Sequence, residues 1–153
     1  MRLDYKDLAQ TCAALTEGET DAVALMATLA CEVFHADARF DWVGFYRVVS
    51  PGLLKIGPYQ GGHGCLVIPF ERGVCGACAR QEAAQLVPDV EAFAGHIACA
   101  SSTRSELVLP VFGPDGLIAV FDLDSDQPDA FDESDAEALQ GILDATFGNS
   151  REA

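Results

Sequence analysis

The stretch ELVLPVFGPDGLIAVFDL, residues 106–123, decides the fold class. Residues 106–112 and 117–123 are rich in β-branched and aromatic side chains, and Gly113, Pro114, Asp115 and Gly116 punctuate them as a turn. The pair reads as an antiparallel hairpin. A second hairpin lies upstream. Residues 42–49, WVGFYRVV, form its first strand, Ser50, Pro51 and Gly52 turn the chain, and residues 53–56 return. Residues 57–64, GPYQGGHG, are too rich in Gly and Pro for regular structure. Short strands are expected at 65–68 and 85–87, a helix at 74–81, and a long loop over 88–103. Helical periodicity marks the two ends. Residues 5–15 carry Leu8, Cys12 and Leu15 on one face. The second helix opens at Thr20 as N-cap and carries Ala22, Leu25, Met26, Leu29, Ala30 and Val33. The last opens near Asp132 and buries Leu139, Ile142, Leu143 and Phe147. Terminal helices around hairpin-connected strands make an α+β fold with a mostly antiparallel central sheet, and one domain over 1–153.

Composition excludes several functions. The formal net charge is −15 with only 9 Lys and Arg, so a nucleic-acid partner and an anionic membrane surface are both disfavoured. The N-terminus MRLDYKDLAQ lacks the apolar core of a signal peptide, and no run approaches the length of a membrane span. The expected location is the cytoplasm. Six cysteines in a reducing compartment are core residues, metal ligands or redox groups rather than a structural disulfide framework.

Cys12 and Cys31 fall in the terminal helices and read as small apolar packing groups. Cys65, Cys75, Cys78 and Cys99 lie within 35 residues of one another, in or beside irregular segments. Zinc is one use of them, with Cys75 and Cys78 as a C-x-x-C completed by His63, Cys65, His96 or Cys99. The single C-x-x-C in a helical stretch argues for no metal. Redox catalysis is the other use. Reduction of a sulfoxide needs a thiolate to attack sulfur, an acid to protonate oxygen, and a second thiol to resolve the sulfenic acid. The glycine-rich run before Cys65 offers mobility for such a thiol pair to meet.

Asp122 and Asp124 alternate on one strand and therefore share a face. Glu106 opens the neighbouring strand. Three crowded carboxylates raise at least one pKa, and the ionised members attract a cation such as a substrate ammonium. Asp122, Asp124, Asp126 and Glu133 also match EF-hand ligand spacing, but Gln127 stands where the loop glycine belongs. Trp42 and Tyr46, four apart on a strand, share a face and could wall an apolar methyl-sulfur group.

The segments DWVGFY (41–46), GPYQG (57–61), IPFERGVCG (68–76), GHIAC (95–99) and DLDS (122–125), in this order, resemble the free methionine-(R)-sulfoxide reductase family. The resemblance runs from about residue 5 to 147. It implies a GAF-like domain, with Cys99 as attacking cysteine, Cys65 as resolving cysteine and Cys75 as an auxiliary. It implies Glu106, Asp122 and Asp124 as substrate-binding acids and Trp42 and Tyr46 as the aromatic wall. Free methionine sulfoxide is the implied substrate and thioredoxin the implied reductant, with no bound cofactor, in a homodimer. Cys78 and Asp41 depart from the family pattern. A GAF-type sensor of a small molecule or of redox state is the alternative. It is disfavoured by the three loop cysteines and by the expectation of a chain without an output domain.

Overall fold

The computed structural model describes residues 3–151. Along the chain run α1 (Tyr5–Leu15), α2 (Ala22–Ala36), β1 (Trp42–Ser50), β2 (Leu53–Gln60), β3 (Val67–Pro69), α3 (Gly73–Gln81), β4 (Gln85–Val87), a 3-10 turn (Val90–Ala92), β5 (Ser105–Gly113), β6 (Gly116–Ser125) and α4 (Glu133–Phe147). The six strands form one antiparallel sheet in the order β3-β2-β1-β6-β5-β4. The α+β architecture is the one expected from the hairpins and terminal helices. Among the described residues no helix is long and apolar enough to cross a membrane.

The period of two along each strand divides the core. Val43 and Phe45 of β1, Leu107, Leu109 and Val111 of β5, and Phe121 and Leu123 of β6 face α1, α2 and α4. There they pack on Leu25, Leu29, Leu143 and Phe147. Each such fully buried side chain contributes about 1.5–3 kcal/mol. Trp42, Tyr46, Val108 and Val120 point the other way, into a second cluster with Val74, Cys75 and Cys78 of α3. Buried Asp135 ties the helical layer together. It accepts from Tyr5 Oη–H at 2.6 Å, from Arg39 Nη1–H at 3.1 Å and from the Asp132 N–H at 2.9 Å. The last contact closes a capping box at the start of α4.

The structure differs from the sequence expectation in four places. Asp21, not Thr20, caps α2, accepting from the Ala24 N–H at 3.0 Å. The 57–60 stretch is not irregular. It continues β2, with Tyr59 opposite Gly44 and Gln60 opposite Val43. The register shifts between Gly44 and Tyr46, so Gly57 and Pro58 occupy a bulge, where a proline without an N–H is tolerated. The short strand after the glycine run begins at Val67 rather than Cys65. Cys75 and Cys78 both lie within α3 and are buried, not beside a loop. Of the helical cysteines, Cys12 is buried as expected. Cys31 is half-buried, with its sulfur 3.8 Å from His35 Nδ1.

The approach of α3 to the sheet depends on Gly76. A Cβ there would stand 2.7 Å from the Phe70 carbonyl oxygen and 2.8 Å from that of Pro69. Gly76→Ala is expected to lower unfolding free energy in urea by about 1–3 kcal/mol, the cost of overpacking against backbone. Gly141→Ala on α4, where an added Cβ meets nothing within 4 Å, is expected to raise it by up to about 1 kcal/mol. Equal effects at the two positions would contradict this account.

Candidate active site

Strand register assembles the site. Glu106 on β5 pairs with Asp124 on β6, and Asp124 pairs with Trp42 on β1. One row further along, Val108, Asp122 and Gly44 stand in line. Both rows face α3. The absence of a side chain at Gly44 leaves room for the Trp42 ring, which a Cβ there would strike. Trp42 stacks on Tyr46 with centroids 5.8 Å apart and on Tyr59 at 5.2 Å. Tyr59 was not singled out in the sequence, because the strand that carries it passes through a Gly-Pro bulge.

The glycine-rich run wraps this aromatic wall closely. Trp42 Nε1–H donates to the Gly62 carbonyl at 2.8 Å. A Cβ on Gly64 would lie 2.9 Å from both Trp42 Cζ2 and Tyr46 Oη. Gly64, and Gly61 whose Cβ would stand 2.8 Å from Trp42 Cδ1, therefore serve close approach. Cys65 follows at once and is joined by a disulfide to Cys99, with Cα atoms 5.2 Å apart. Cys99 sits on the 88–104 connection. That connection is tethered to α3 by the Gly73 N–H donating to Gly95 O at 3.1 Å, and to β6 by the Arg104 N–H donating to Ser125 O at 2.8 Å.

Trp42, Tyr46, Cys75, Cys99, Glu106, Asp122 and Asp124 line one cavity, and Cys65 adjoins it through its bond to Cys99. Every site residue proposed from sequence is thus brought to one place. His96 was named there only as a zinc candidate. It lines the same cavity, with Nε2 3.8 Å from Glu106 Oε1, and its place three residues before Cys99 was the available signal. Free space in the cavity is about 30 Å³, room for about two waters. Among the described residues no Lys or Arg lines it.

Burial, then the charges of Asp124 and Glu106, raises the Asp122 carboxyl well above the ordinary range. Burial, then Glu106, does the same to Asp124. Carboxyls raised in this way hold a proton to higher pH than ordinary ones, which suits one of them to donate it. Cys75 is likewise held as a neutral thiol by burial and by the neighbouring Asp122, Glu106 and Asp124 charges. Burial pushes Cys78 up to about 12. Cys78 is fully buried in the apolar cluster and is absent from the cavity wall, so the C-x-x-C does not form a zinc knuckle. Asp122 and Asp124 lie in a regular strand rather than in an EF-hand loop. Among the described residues, the metal-type donors that converge are Cys75, Glu106 and Asp122. Asp41, the other departure, accepts from the Asp126 N–H at 2.7 Å and holds the end of β6.

The GAF domain family matches residues 16–146. The chain is 41% identical over 139 residues to GAF domain-containing protein A of Dictyostelium discoideum, covering 91% of this chain and 87% of that protein. It is 35% identical over 139 residues to free methionine-R-sulfoxide reductase of Escherichia coli, covering 91% and 84%. The solved structure of free methionine-R-sulfoxide reductase from Neisseria meningitidis in complex with its substrate is similar at 39% identity and a TM-score of 0.86. That match covers 94% of this chain and 87% of the other.

The raised carboxyl pKa values have a signed consequence for stability. A carboxyl titrating higher in the folded state takes up a proton on folding, so stability falls as pH rises from about 4 through the folded pKa. Asp122→Asn removes one such group. Its Tm relative to wild type is expected to be near zero difference at pH 4 and to become increasingly positive toward pH 7, by scanning calorimetry. A difference that shrinks with rising pH would contradict the assignment.

Proposed function

The chain belongs to the GAF-domain family of free methionine-R-sulfoxide reductases, and we propose that it reduces free methionine R-sulfoxide to methionine with Cys99 as the nucleophile. The observation that carries this reading is the Cys65–Cys99 disulfide beside a cavity whose floor is three carboxylates and whose wall is Trp42 and Tyr46.

Once the disulfide is reduced and Cys65 and Cys99 can move apart to enlarge the cavity, the sulfoxide enters with its ammonium toward Glu106, Asp122 and Asp124 and its methyl-sulfur end against the aromatic wall. A peptide-bound methionine sulfoxide lacks that ammonium, and the acidic floor rejects it. The Cys99 thiolate forms a bond to the substrate sulfur while the protonated member of the carboxyl cluster donates to the oxygen. The hydroxyl then passes from the substrate sulfur to the Cys99 sulfur as the new S–S bond and the substrate S–O bond break, so methionine departs with its sulfur reduced and Cys99 is left as a sulfenic acid. The Cys65 thiol attacks that sulfur, water leaves, and the disulfide forms. Thioredoxin in the cytoplasm then reduces it by dithiol exchange, and no bound cofactor is required. Cys75, protonated and buried, acts as an auxiliary rather than as the first nucleophile. The working unit is a homodimer.

The decisive measurement couples free methionine R-sulfoxide, thioredoxin, thioredoxin reductase and NADPH, and follows NADPH loss. Wild type is expected to cycle and Cys99→Ser to be inactive. Cys65→Ser should release close to one methionine per chain and stop. A wild type that binds the sulfoxide without turnover would establish the sensor alternative instead. Asp122→Asn and Asp124→Asn are expected to lose about 10²-fold or more in kcat/KM, and unchanged kinetics would remove those carboxylates from the reaction.

A further inference from the structure

We propose that the cavity floor is also a binding site for a thiophilic divalent cation of the zinc and cadmium class, held by Cys75, Glu106 and Asp122. The Cys75 Sγ and one carboxylate oxygen from each acid all lie within 4.8 Å of one another, and all three residues are buried. Donors around a tetrahedral zinc ion stand about 3.3–3.8 Å apart, so side-chain shifts of about 1 Å close the set. Asp122 is only 4% exposed and its Oδ1 has no hydrogen-bond partner among the protein atoms. Its neighbours there are the carboxyls of Glu106 and Asp124 rather than a dedicated donor, so this buried oxygen can turn to a cation. The fourth coordination position opens on the free space of about 30 Å³, enough for a bound water.

The donor set selects the ion. One thiolate with two carboxylates suits zinc and cadmium. Magnesium and calcium take oxygen ligands in larger number and gain nothing from sulfur. Among the described residues no lysine or arginine lines the cavity to repel a cation; His96 stands 3.8 Å from Glu106. Cys75 also lines the cavity as a free thiol in the disulfide form, where Cys65 and Cys99 are occupied with each other. The site therefore persists when the redox pair is oxidised. A cation there fills the position of the substrate ammonium and blocks the substrate, a consequence that rests on the function proposed above. The metal binding itself does not.

The test is a cadmium titration of the oxidised protein, read by the thiolate-to-cadmium charge-transfer absorption. A Cys31→Ser background removes the other cysteine–histidine pair, Cys31 with His35 on α2. One cadmium per chain is expected. The band should vanish in Cys75→Ser and persist in Cys78→Ser. The Kd should weaken at least tenfold in both Glu106→Gln and Asp122→Asn, and magnesium or calcium in hundredfold excess should not displace the ion. A band that survives Cys75→Ser, or a Kd unchanged by both acid variants, overturns the site. Competition is measured in a Cys65→Ser/Cys99→Ser variant, where methionine sulfoxide should raise the apparent cadmium Kd in proportion to its concentration. Retained cadmium binding with no such rise overturns the blocking role and leaves the site standing.

Discussion

Three carboxylates are held side by side on one face of an antiparallel sheet, beneath a helix, with His96 beside Glu106 and, among the described residues, no lysine or arginine lining the space they share. The constraint that does this is the register of β5, β6 and β1. Glu106, Asp124 and Trp42 fall in one row, and Asp122 with Gly44 in the next. A slip of one residue would send every one of these side chains into the aliphatic layer beneath α2 and α4. The apolar residues between them prevent the slip. Val43, Phe45, Leu107, Phe121 and Leu123 have no exposure to lose, so the hydrophobic face of the sheet fixes the polar one.

That arrangement opposes stability and favours chemistry. Burying carboxylates near one another is unfavourable, and that cost is what raises the Asp122 and Asp124 carboxyls well above the ordinary range. A carboxyl kept protonated near neutrality is a proton donor, and an ionised neighbour is a seat for a cation. One electrostatic conflict thus offers both groups that the proposed reduction of a zwitterionic sulfoxide calls for. Local violation of burial rules at a site supported by a well-packed scaffold is the pattern expected of functional positions.

The cysteines divide along the same line. Cys65 and Cys99 are half-buried, on the segment after the glycine run and on the 88–104 connection. Cys75 and Cys78 ride on α3, and their thiols are pushed toward the protonated form by burial. Three residues apart, this second pair shares one face of α3 and one buried cluster, about a turn apart along the helix. Cys75 reaches the acidic floor and Cys78 packs into the core. The C-x-x-C spacing, informative when both thiols face one space, carries no joint chemistry when only one lines the cavity.

Much of this was legible in the sequence. Strand alternation placed Asp122 and Asp124 on one face, helical periodicity identified the stripes of α2 and α4, and turn residues marked the hairpins, because these are local properties of the backbone. The ordered motifs and cysteine spacings carried the family. Three things were not legible: that Gly57 and Pro58 form a bulge inside a continuing strand, that the glycines after them pack against Trp42 and Tyr46, and that Cys75 lines the cavity while Cys78 does not. Each depends on what lies across the sheet or beneath the helix. Sequence determined which residues could do the chemistry. Tertiary structure decided which of them meet, because pairing register and close packing are relations between segments far apart in the chain, and no local pattern encodes their distance.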